Sequence, residues 1–338
     1  MAVRAFAPGR VNVIGDHTDY TGGLALPMAI AEGTTVTVER GGDVVRLRSD
    51  EEPSPALVPL DVADPAAVDP PWARYVAGVV AELRPAAGAT GAVTTKLPLG
   101  AGLSSSAALE VAVALALGFE GDALELAQLC QRAEQRASGV PCGIMDQLTS
   151  AAGVEGSLLL LDCRALTVTP IPLPAGIAIV GVHSGVARAL AGTAYAERRA
   201  ECAAAEREIG PLRDARPDDL TALVDGVLRR RARHVVTENA RVLAFVDALA
   251  AGDHELAGAA MNDSHASLRD DFEVSTPAVD ALVEQLAAAP GVFGARMTGG
   301  GFGGMVIALC DADAADAVAT ARGGGRFIAS AGASLLAC

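Results

Sequence analysis

The sequence is poor in aromatic residues and has no long hydrophobic run. Aromatic side chains make up 3% of the 338 residues, with a single tryptophan, so the cores must be packed mainly with alanine, valine and leucine. No stretch approaches the roughly 18 apolar residues of a membrane-spanning helix, and the opening MAVRAFAPGR lacks the apolar segment of a signal peptide. These absences predict a cytoplasmic protein with no membrane partner.

Positive charge is also scarce. The chain has 26 Lys and Arg against 41 Asp and Glu, a net charge of −15, which argues against a nucleic-acid partner because the average surface repels a phosphate backbone. The basic run LRRRAR, 228–233, is expected to be a solvated helix face. The six cysteines show neither CxxC nor zinc-type Cys/His spacing, so reduced thiols are expected.

The order of apolar patterns predicts a mixed α+β protein with two domains. Strand patterns fill the first forty residues, and later strands are predicted at TTKLPL, LLLLDC, IAIVGVHS and MVIALC. Helices are predicted at 72–84, 104–118, 122–138 and 277–288, with a surface loop at 50–71. The proline-rich TPIPLPAG, 169–176, is the expected junction, which divides the chain into domains 1–172 and 173–338.

Four polar residues follow the first apolar strand directly. The stretch VNVIGDHTDY presents Asp16, His17, Thr18 and Asp19 at the point where the chain leaves a predicted buried strand. Two carboxylates and an imidazole within four residues could ligate a metal, perform acid–base chemistry or bind a ligand rich in hydroxyl groups. A solvated turn is the simpler alternative, and the residues alone leave all four open.

A second motif, LPLGAGLSSSAALE, spans residues 97–110. Gly100 and Gly102 let the backbone approach a ligand, and Ser104, Ser105 and Ser106 lie at the start of a predicted helix. Free backbone NH groups and the helix dipole favour an anion there, so the motif predicts a phosphate cradle with a hydroxyl for a metal. An ordinary serine-capped helix is the alternative. No lysine follows the glycines, so this is not a Walker A loop.

Two further stretches carry polar residues in unusual places. In CQRAEQRASGVPCGIMDQ, Glu134 shares the apolar face of the predicted helix, where its carboxylate needs Arg132, Arg136 or a metal as partner, and Asp146 follows a Gly/Pro interruption. The glycine run TGGGFGG, 298–304, precedes a strand, so it is not a dinucleotide-binding fingerprint. Together the motifs predict phosphoryl transfer from a nucleotide to a polyol.

These motifs, in this order, resemble the GHMP kinase family. PGRVNVIGDHTDYTGG is similar to the signature of its galactose-phosphorylating branch, PLGAGLSSSAALE to the shared ATP-binding motif, and ARMTGGGFGG to the third family motif. The resemblance runs from Ala7 to about Leu309, which is most of the chain. It implies a ribosomal S5 domain 2-like N-terminal domain and a ferredoxin-like C-terminal domain, both α+β, with the site between them.

The resemblance also implies a role for each motif residue. Asp146 would be the catalytic base, with Arg10 beside it, and Ser106 and Glu134 would hold Mg²⁺. The residues implied for sugar binding are Asp16, His17, Thr18, Asp19, Gly143 and Tyr195. The residues implied for ATP binding are Gly100, Ala101, Gly102, Leu103, Ser104, Ser105, Ser106, Gly299, Gly300 and Gly301.

The implied activity is ATP-dependent phosphorylation of a sugar at its anomeric hydroxyl, with D-galactose as the expected acceptor. Members of that branch usually carry Glu where this chain has Asp16, and they begin with an additional N-terminal segment, so another aldose is the alternative substrate. A non-catalytic sugar and ATP sensor, and a kinase for mevalonate or homoserine, are the competing interpretations. A monomer is expected, with a dimer left open.

Overall fold

The computed structural model describes residues 2–98, 100–186 and 191–337, with the side chains of 191–193 left out. Leu99, the last residue of the predicted strand TTKLPL, and Cys338, predicted to be a reduced thiol, lie outside this set. The described strands are β1 (Ala2–Ile14), β2 (Leu24–Arg40), β3 (Val44–Ser49), β4 (Ala56–Pro59), β5 (Ala89–Thr95), β6 (Ser157–Asp162), β7 (Thr167–Pro172), β8 (Ile177–His183), β9 (Val292–Met297), β10 (Met305–Asp311), β11 (Gly325–Phe327) and β12 (Ser334–Leu336).

The described helices fall close to the predicted ones. They are α1 (Ala73–Leu83), α2 (Ser105–Leu117), α3 (Ala123–Ser138), α4 (Met145–Ala152), α5 (Ala191–Ile209), α6 (Gly226–Ala251), α7 (His254–Asp270), α8 (Pro277–Ala287) and α9 (Ala315–Thr320). The four helices predicted by number are confirmed to within one residue at each end. No helix among the described residues is both long and apolar enough to cross a lipid bilayer.

The strands form two sheets. The larger has eight strands, in the order β12-β1-β2-β5-β3-β4, with β6 pairing with β2 and β7 added on β6. The smaller has the antiparallel order β11-β8-β10-β9. Helix α2 packs on β1 and β2, whereas α7 packs on β9. The prediction of a mixed α+β protein is confirmed.

Both faces of the smaller sheet are buried. On β8, Ile177 and Ile179 pack into the core beneath the larger sheet, while Ala178, Val180 and Val182 face a second core formed with α5, α6 and α8. Successive side chains of a strand point to opposite faces, so a continuous apolar run such as IAIV is what a doubly covered strand requires.

One expectation, the surface loop at 50–71, needs correction, and another, the domain boundary at 172/173, stays a prediction. The segment 50–71 was expected to be a surface loop, but it contains β4, which pairs with β3, and a short 3₁₀ turn at Pro65–Ala67. Its prolines and aspartates hide the alternation of Ala56 and Val58, which are buried. The division at 172/173 stays a prediction. It falls at the end of β7, and β12 returns to pair with β1.

The cysteine prediction holds for the described residues. Cys130, Cys142, Cys163, Cys202 and Cys310 are all free thiols. Burial raises the pKa of the Cys142 thiol well above its usual value, so this thiol stays protonated near the site.

Candidate functional site

Arg10 and Asp146 form an ion pair at the centre of the site. Arg10 lies where the pairing of β1 with β2 shifts register, and such a bulge re-aims a side chain. Its Nε donates to Oδ1 of Asp146 at 2.8 Å, and its Nη2 donates to Oδ2 at 2.7 Å. The Arg10 side chain is 4% exposed and that of Asp146 is 30% exposed, so the carboxylate is the partner that solvent and ligands can reach.

The loop before α2 holds Arg10 through backbone groups. The carbonyl oxygen of Gly102 accepts from Arg10 Nη1 at 2.7 Å, and that of Leu103 accepts from the Arg10 backbone NH at 3.1 Å. A Cβ at Gly9 would lie 2.7 Å from the Leu103 carbonyl oxygen, so only glycine permits this approach of β1 to the loop. Gly100 and Gly102 both have left-handed backbones, with φ of 71° and 83°.

The three serines of this loop have different partners. Ser104 precedes α2 with φ 57° and makes no side-chain capping bond, so the ordinary serine cap is not observed. Its Oγ donates to Asp146 Oδ2 at 2.5 Å instead. Ser106 Oγ donates to Glu134 Oε1 at 3.0 Å, and Ser105 is half-buried beside it. The loop therefore contacts the carboxylates of both Asp146 and Glu134.

Glu134 is a half-buried acid held by neutral donors. Ser106 donates to one of its oxygens and Gln147 Nε2 to the other. Removal from water, together with the charge of Asp146, raises the pKa of Glu134 to about 7 against those hydrogen bonds. Behind it lies the fully buried Glu110, whose Oε2 accepts from the same Gln147 amide at 3.2 Å.

Neither arginine that the sequence suggested as a partner reaches Glu134. Arg132 Nε and Arg136 Nη1 both pair with Glu82, at 2.8 and 3.0 Å. A hydroxyl and a carboxylate are oxygen ligands suited to a hard divalent cation, so the chemistry of Ser106 and Glu134 fits Mg²⁺. Among the described residues, no three His, Cys, Asp or Glu side chains are grouped to hold a metal ion.

A cavity of about 210 Å³ opens beside the Arg10–Asp146 pair. This is below the roughly 300 to 1,000 Å³ of sites for drug-sized ligands, so it suits a small molecule. Five of the six residues predicted for sugar binding line it, namely Asp16, His17, Asp19, Gly143 and Tyr195. Gly299 and Gly300, predicted for ATP binding, line this same cavity.

Thr18, the sixth residue, does not line the cavity. Its Oγ1 is within hydrogen-bonding distance of the carbonyl oxygens of Gly15, at 2.8 Å, and Leu24, at 2.6 Å. Its own carbonyl oxygen accepts from the NH of Gly23 at 2.8 Å. Thr18 therefore closes the turn between β1 and β2, and its contribution to the cavity is to hold that turn.

Asp19 lies against the backbone of Gly143. A Cβ at Gly143 would overlap the Asp19 carboxylate, so glycine is needed for this approach. Burial, together with the charge of Asp146, raises the pKa of Asp19 to about 6, and backbone hydrogen bonds from Met145 and Tyr20 oppose the shift. The carboxylate is thus ionised at neutral pH but close to titration.

His17 is held within a group of aromatic rings. It has a left-handed backbone, with φ 64°, and its Nδ1 lies 3.0 Å from the Tyr20 hydroxyl. Its ring centre is 5.4 Å from that of Tyr195 and 4.6 Å from that of Phe272. These contacts fix the imidazole plane at the cavity wall.

Asp16 is bound to the third motif and its strand. Its Oδ1 accepts from the Gly299 backbone NH at 3.0 Å, and its Oδ2 lies 2.6 Å from Arg296 Nη2 in an ion pair whose arginine is fully buried. Burial raises the pKa of Asp16, and Arg296 opposes this rise most strongly. Arg296 Nη1 also donates to the Val13 carbonyl oxygen at 3.0 Å, and Arg296 Nη2 lies 3.9 Å from Glu238.

The third motif is joined to β1 by further bonds. Thr298 Oγ1 donates to the Asn12 carbonyl oxygen at 2.8 Å and accepts from the Asn12 NH at 3.0 Å. Gly301 has φ 84°, and a Cβ there would lie 2.6 Å from the Val274 carbonyl oxygen. The glycine run therefore packs between β1 and the loop before α8.

A second cavity, of about 240 Å³, lies on the other side of the serines. Ser105, Ser106, Trp72 and Tyr75 line it together with Thr34, Val93 and Leu109. Because Ser106 lines this cavity and its partner Glu134 lines the first, their hydrogen bond stands at the border of the two. Glu51 and Glu52 also line this cavity, but its two aromatic side chains beside a glycine-rich loop can take a base while the loop takes its phosphates.

Sequence reasoning missed several residues of the site. Trp72 directly precedes α1 and Tyr75 lies in its first turn, and neither belongs to a recognised motif. A single tryptophan in a chain so poor in aromatic residues was nevertheless a usable signal. Arg296 and Glu110 were also missed. Each is a charged residue within an apolar strand or helix, at a position that is fully buried, and such a position demands a partner.

Comparison with known proteins identifies the class. The model "GHMP kinases N terminal domain" matches residues 74–154, and "GHMP kinases C terminal" matches 245–323. A solved mevalonate kinase shares the fold, with a TM-score of 0.68 over 98% of this chain and 100% of the other at 19% identity. The chain therefore belongs to the GHMP kinases.

Within that class the chain belongs to the galactokinase family. The model "Galactokinase galactose-binding signature" matches residues 2–40. Galactokinases from Chloroflexus aggregans and Roseiflexus sp. (strain RS-1) are 45% and 44% identical, over 92% and 90% of this chain and 85% and 82% of theirs. The Lactococcus lactis galactokinase complexed with galactose superposes with a TM-score of 0.93 at 33% identity, covering 99% of this chain and 95% of the other.

Proposed function

We propose that this chain transfers the γ-phosphoryl group of ATP to the anomeric hydroxyl of D-galactose, giving ADP and galactose 1-phosphate. One observation carries the proposal. Asp146, which accepts two hydrogen bonds from Arg10, lines a small polar cavity, and the loop with the three serines lies between this cavity and a second, more apolar one. A sugar hydroxyl in the first cavity and a nucleotide in the second would then meet at that loop. Family membership supports both substrates.

Asp146 is proposed as the general base. It accepts the proton of the anomeric hydroxyl while the sugar oxygen forms a bond to phosphorus, and the bond from phosphorus to the departing ADP oxygen breaks. Arg10 has two tasks in this scheme. It orients the carboxylate through two hydrogen bonds, and its charge lies next to the phosphoryl group as negative charge is redistributed.

The loop from Gly100 to Ser106 is proposed to surround the phosphates of ATP. Backbone NH groups at the start of α2 and the left-handed glycines leave donors and space for phosphate oxygens. Trp72 and Tyr75, in the second cavity, are proposed to contact the adenosine part. Gly299 and Gly300 line the first cavity, and their contact with ATP stays a prediction.

Ser106 and Glu134 are proposed to hold Mg²⁺. An ion held there would supply positive charge to neutralise the transferring phosphates. Because burial raises the pKa of Glu134 to about 7, a bound cation would also keep this carboxylate ionised.

The sugar hydroxyls are proposed to be held by His17, Asp19, Tyr195 and the Gly143 backbone, with Asp16 behind them. An ionised carboxylate can accept several hydroxyl hydrogen bonds, and Asp19 is ionised above about pH 6. A different aldose is the second candidate substrate. Asp16 favours this second candidate. Its side chain is shorter than the usual Glu, and both of its oxygens already have partners in Gly299 and Arg296.

A coupled ADP-release assay across galactose, other hexoses, pentoses, uronic acids, N-acetylhexosamines and mevalonate tests the proposal. Galactose should give the highest kcat/KM, and phosphorus NMR should show an anomeric phosphate. Turnover of another aldose with none of galactose would replace the substrate and keep the reaction. No turnover of any acceptor, with galactose and ATP still bound in calorimetry, would favour the sensor instead.

Asp146→Asn is the matched variant for the chemical step. It keeps the shape of the side chain and removes its capacity as a base, so kcat should fall roughly 10²- to 10⁴-fold while ATP still binds. Wild-type turnover in this variant would remove Asp146 from the proposed role.

A further inference from the structure

Ser104 makes a contact that neither helix capping nor phosphate binding explains. It occupies the capping position of α2 without capping it, and its Oγ donates to Asp146 Oδ2 at 2.5 Å. We propose that Ser104 is a positioning residue for Asp146, and that its hydroxyl reserves Oδ1 as the oxygen that takes the sugar proton. The inference rests on the proposed function and adds a residue to its proton-transfer step.

The count of acceptor positions leads to Oδ1. A carboxylate oxygen has about two lone-pair sites for hydrogen bonds. Oδ2 accepts from both Arg10 Nη2, at 2.7 Å, and Ser104 Oγ, so both of its sites are used. Oδ1 accepts one hydrogen bond, from Arg10 Nε at 2.8 Å; Arg10 Nη2 also lies 2.7 Å from it but donates to Oδ2, so one acceptor site of Oδ1 remains. The proton that leaves the anomeric hydroxyl would bind there as the sugar oxygen attacks phosphorus.

The backbone at Ser104 is what directs its hydroxyl to Asp146. Ser104 has φ 57° and ψ 50°, a left-handed conformation that a residue with a side chain rarely adopts. In the usual extended conformation of a capping residue, the hydroxyl would turn toward the first NH groups of α2. The observed conformation leaves those NH groups for a ligand and places the hydroxyl on the carboxylate.

The same short segment holds both members of the ion pair. Gly102 and Leu103 bind Arg10 through their carbonyl oxygens, and Ser104 binds Asp146 through its hydroxyl. The loop proposed to carry the phosphates therefore also sets the orientation of the base relative to the arginine. Without Ser104, the Asp146 carboxylate would keep only the arginine fork and could rotate about its terminal bond.

Two substitutions separate the hydroxyl from the strained backbone. Ser104→Ala removes the hydroxyl and keeps the strain, whereas Ser104→Gly removes both. If the hydroxyl positions the base, both variants should lower kcat roughly tenfold, with KM for galactose and ATP unchanged. In an Asp146→Asn background, neither should lower the residual rate further, because the group that Ser104 positions has gone.

Ser275→Ala is the matched control. Ser275 Oγ also donates to an aspartate, Asp280, at 2.5 Å, but neither residue lines either cavity. This variant should keep wild-type kcat. A crystal structure of Ser104→Ala should show the Asp146 carboxylate turned from its wild-type orientation relative to Arg10.

Three results would overturn the inference. The first is an unchanged kcat in Ser104→Ala, and the second is a reduced kcat in Ser104→Ala with a wild-type kcat in Ser104→Gly. The third is a fall in kcat in the Asp146→Asn background as large as in the wild-type background. If the wild-type chain phosphorylated no sugar, the proposed function would fail. The crystal structure would then decide the positioning contact alone, and an unmoved carboxylate would refute it.

Discussion

Removal of the Arg296 charge should destabilise the protein more than removal of its partner. Arg296 and Asp16 are a buried ion pair at 2.6 Å, with the arginine 0% and the aspartate side chain 2% exposed. Arg296→Met leaves an uncompensated carboxylate and deprives the Val13 carbonyl oxygen of its donor. Breaking a buried pair from one side costs about 3–5 kcal/mol, and we expect a loss in this range.

Asp16→Asn should cost less, about 1–3 kcal/mol, because Arg296 would still have a carboxylate nearby. Glu238 lies 3.9 Å from Arg296 Nη2, and the Val13 carbonyl oxygen remains in place. Asn also keeps an oxygen for the Gly299 NH. The double variant should therefore be more stable than the sum of the two losses implies, by about 1–3 kcal/mol.

Urea unfolding of the ligand-free protein, followed by circular dichroism, measures the four free energies of this cycle. The cost of Arg296→Met should also shrink as the pH falls. Burial raises the pKa of Asp16, so at low pH the carboxylate gains its proton in the folded state before the unfolded one, and the charge penalty disappears. Additive losses, or an Asp16→Asn loss that equals or exceeds that of Arg296→Met, would refute the reasoning.

The remaining predictions concern ligand binding. Trp72 is the single tryptophan and lines the second cavity, so ATP should change the intrinsic tryptophan fluorescence, whereas galactose alone should not. Equal changes in fluorescence with ATP and with galactose would mean that ATP binds elsewhere. Gly143→Ala should raise KM for galactose at least tenfold with kcat less affected, because its Cβ displaces the Asp19 carboxylate; an unchanged KM would contradict this. Burial raises the pKa of Asp19 to about 6, so calorimetry should show weaker galactose binding as the pH falls through 6, and a flat profile would exclude Asp19 as an acceptor.

Much of the fold could be predicted because it follows from local periodicity. The helices at 73–83 and 105–117 follow helical apolar patterns in the sequence, and β8 and β10 follow short apolar runs. The strand at 56–59 was missed because its buried alanine and valine lie among prolines and acidic residues, where a loop is the usual outcome.

Only part of the candidate site could be predicted from the sequence. Arg10 and Asp146 are 136 positions apart, so the residues alone gave no reason to pair them, and only the family resemblance did so. The target of the Ser104 hydroxyl depends on a left-handed backbone that no local pattern signals. The ion pair of Asp16 with Arg296 likewise depends on how two sheets meet, which is a property of the folded chain.

The position of β12 has a consequence for the order of folding. This last described strand pairs with the free side of β1, which otherwise exposes unpaired backbone groups. The pairing joins Arg4 to Leu336, so it closes a loop that contains nearly all of the described residues. Because contacts between such distant residues are slow to form, the outer edge of β1 should stay open until late in folding.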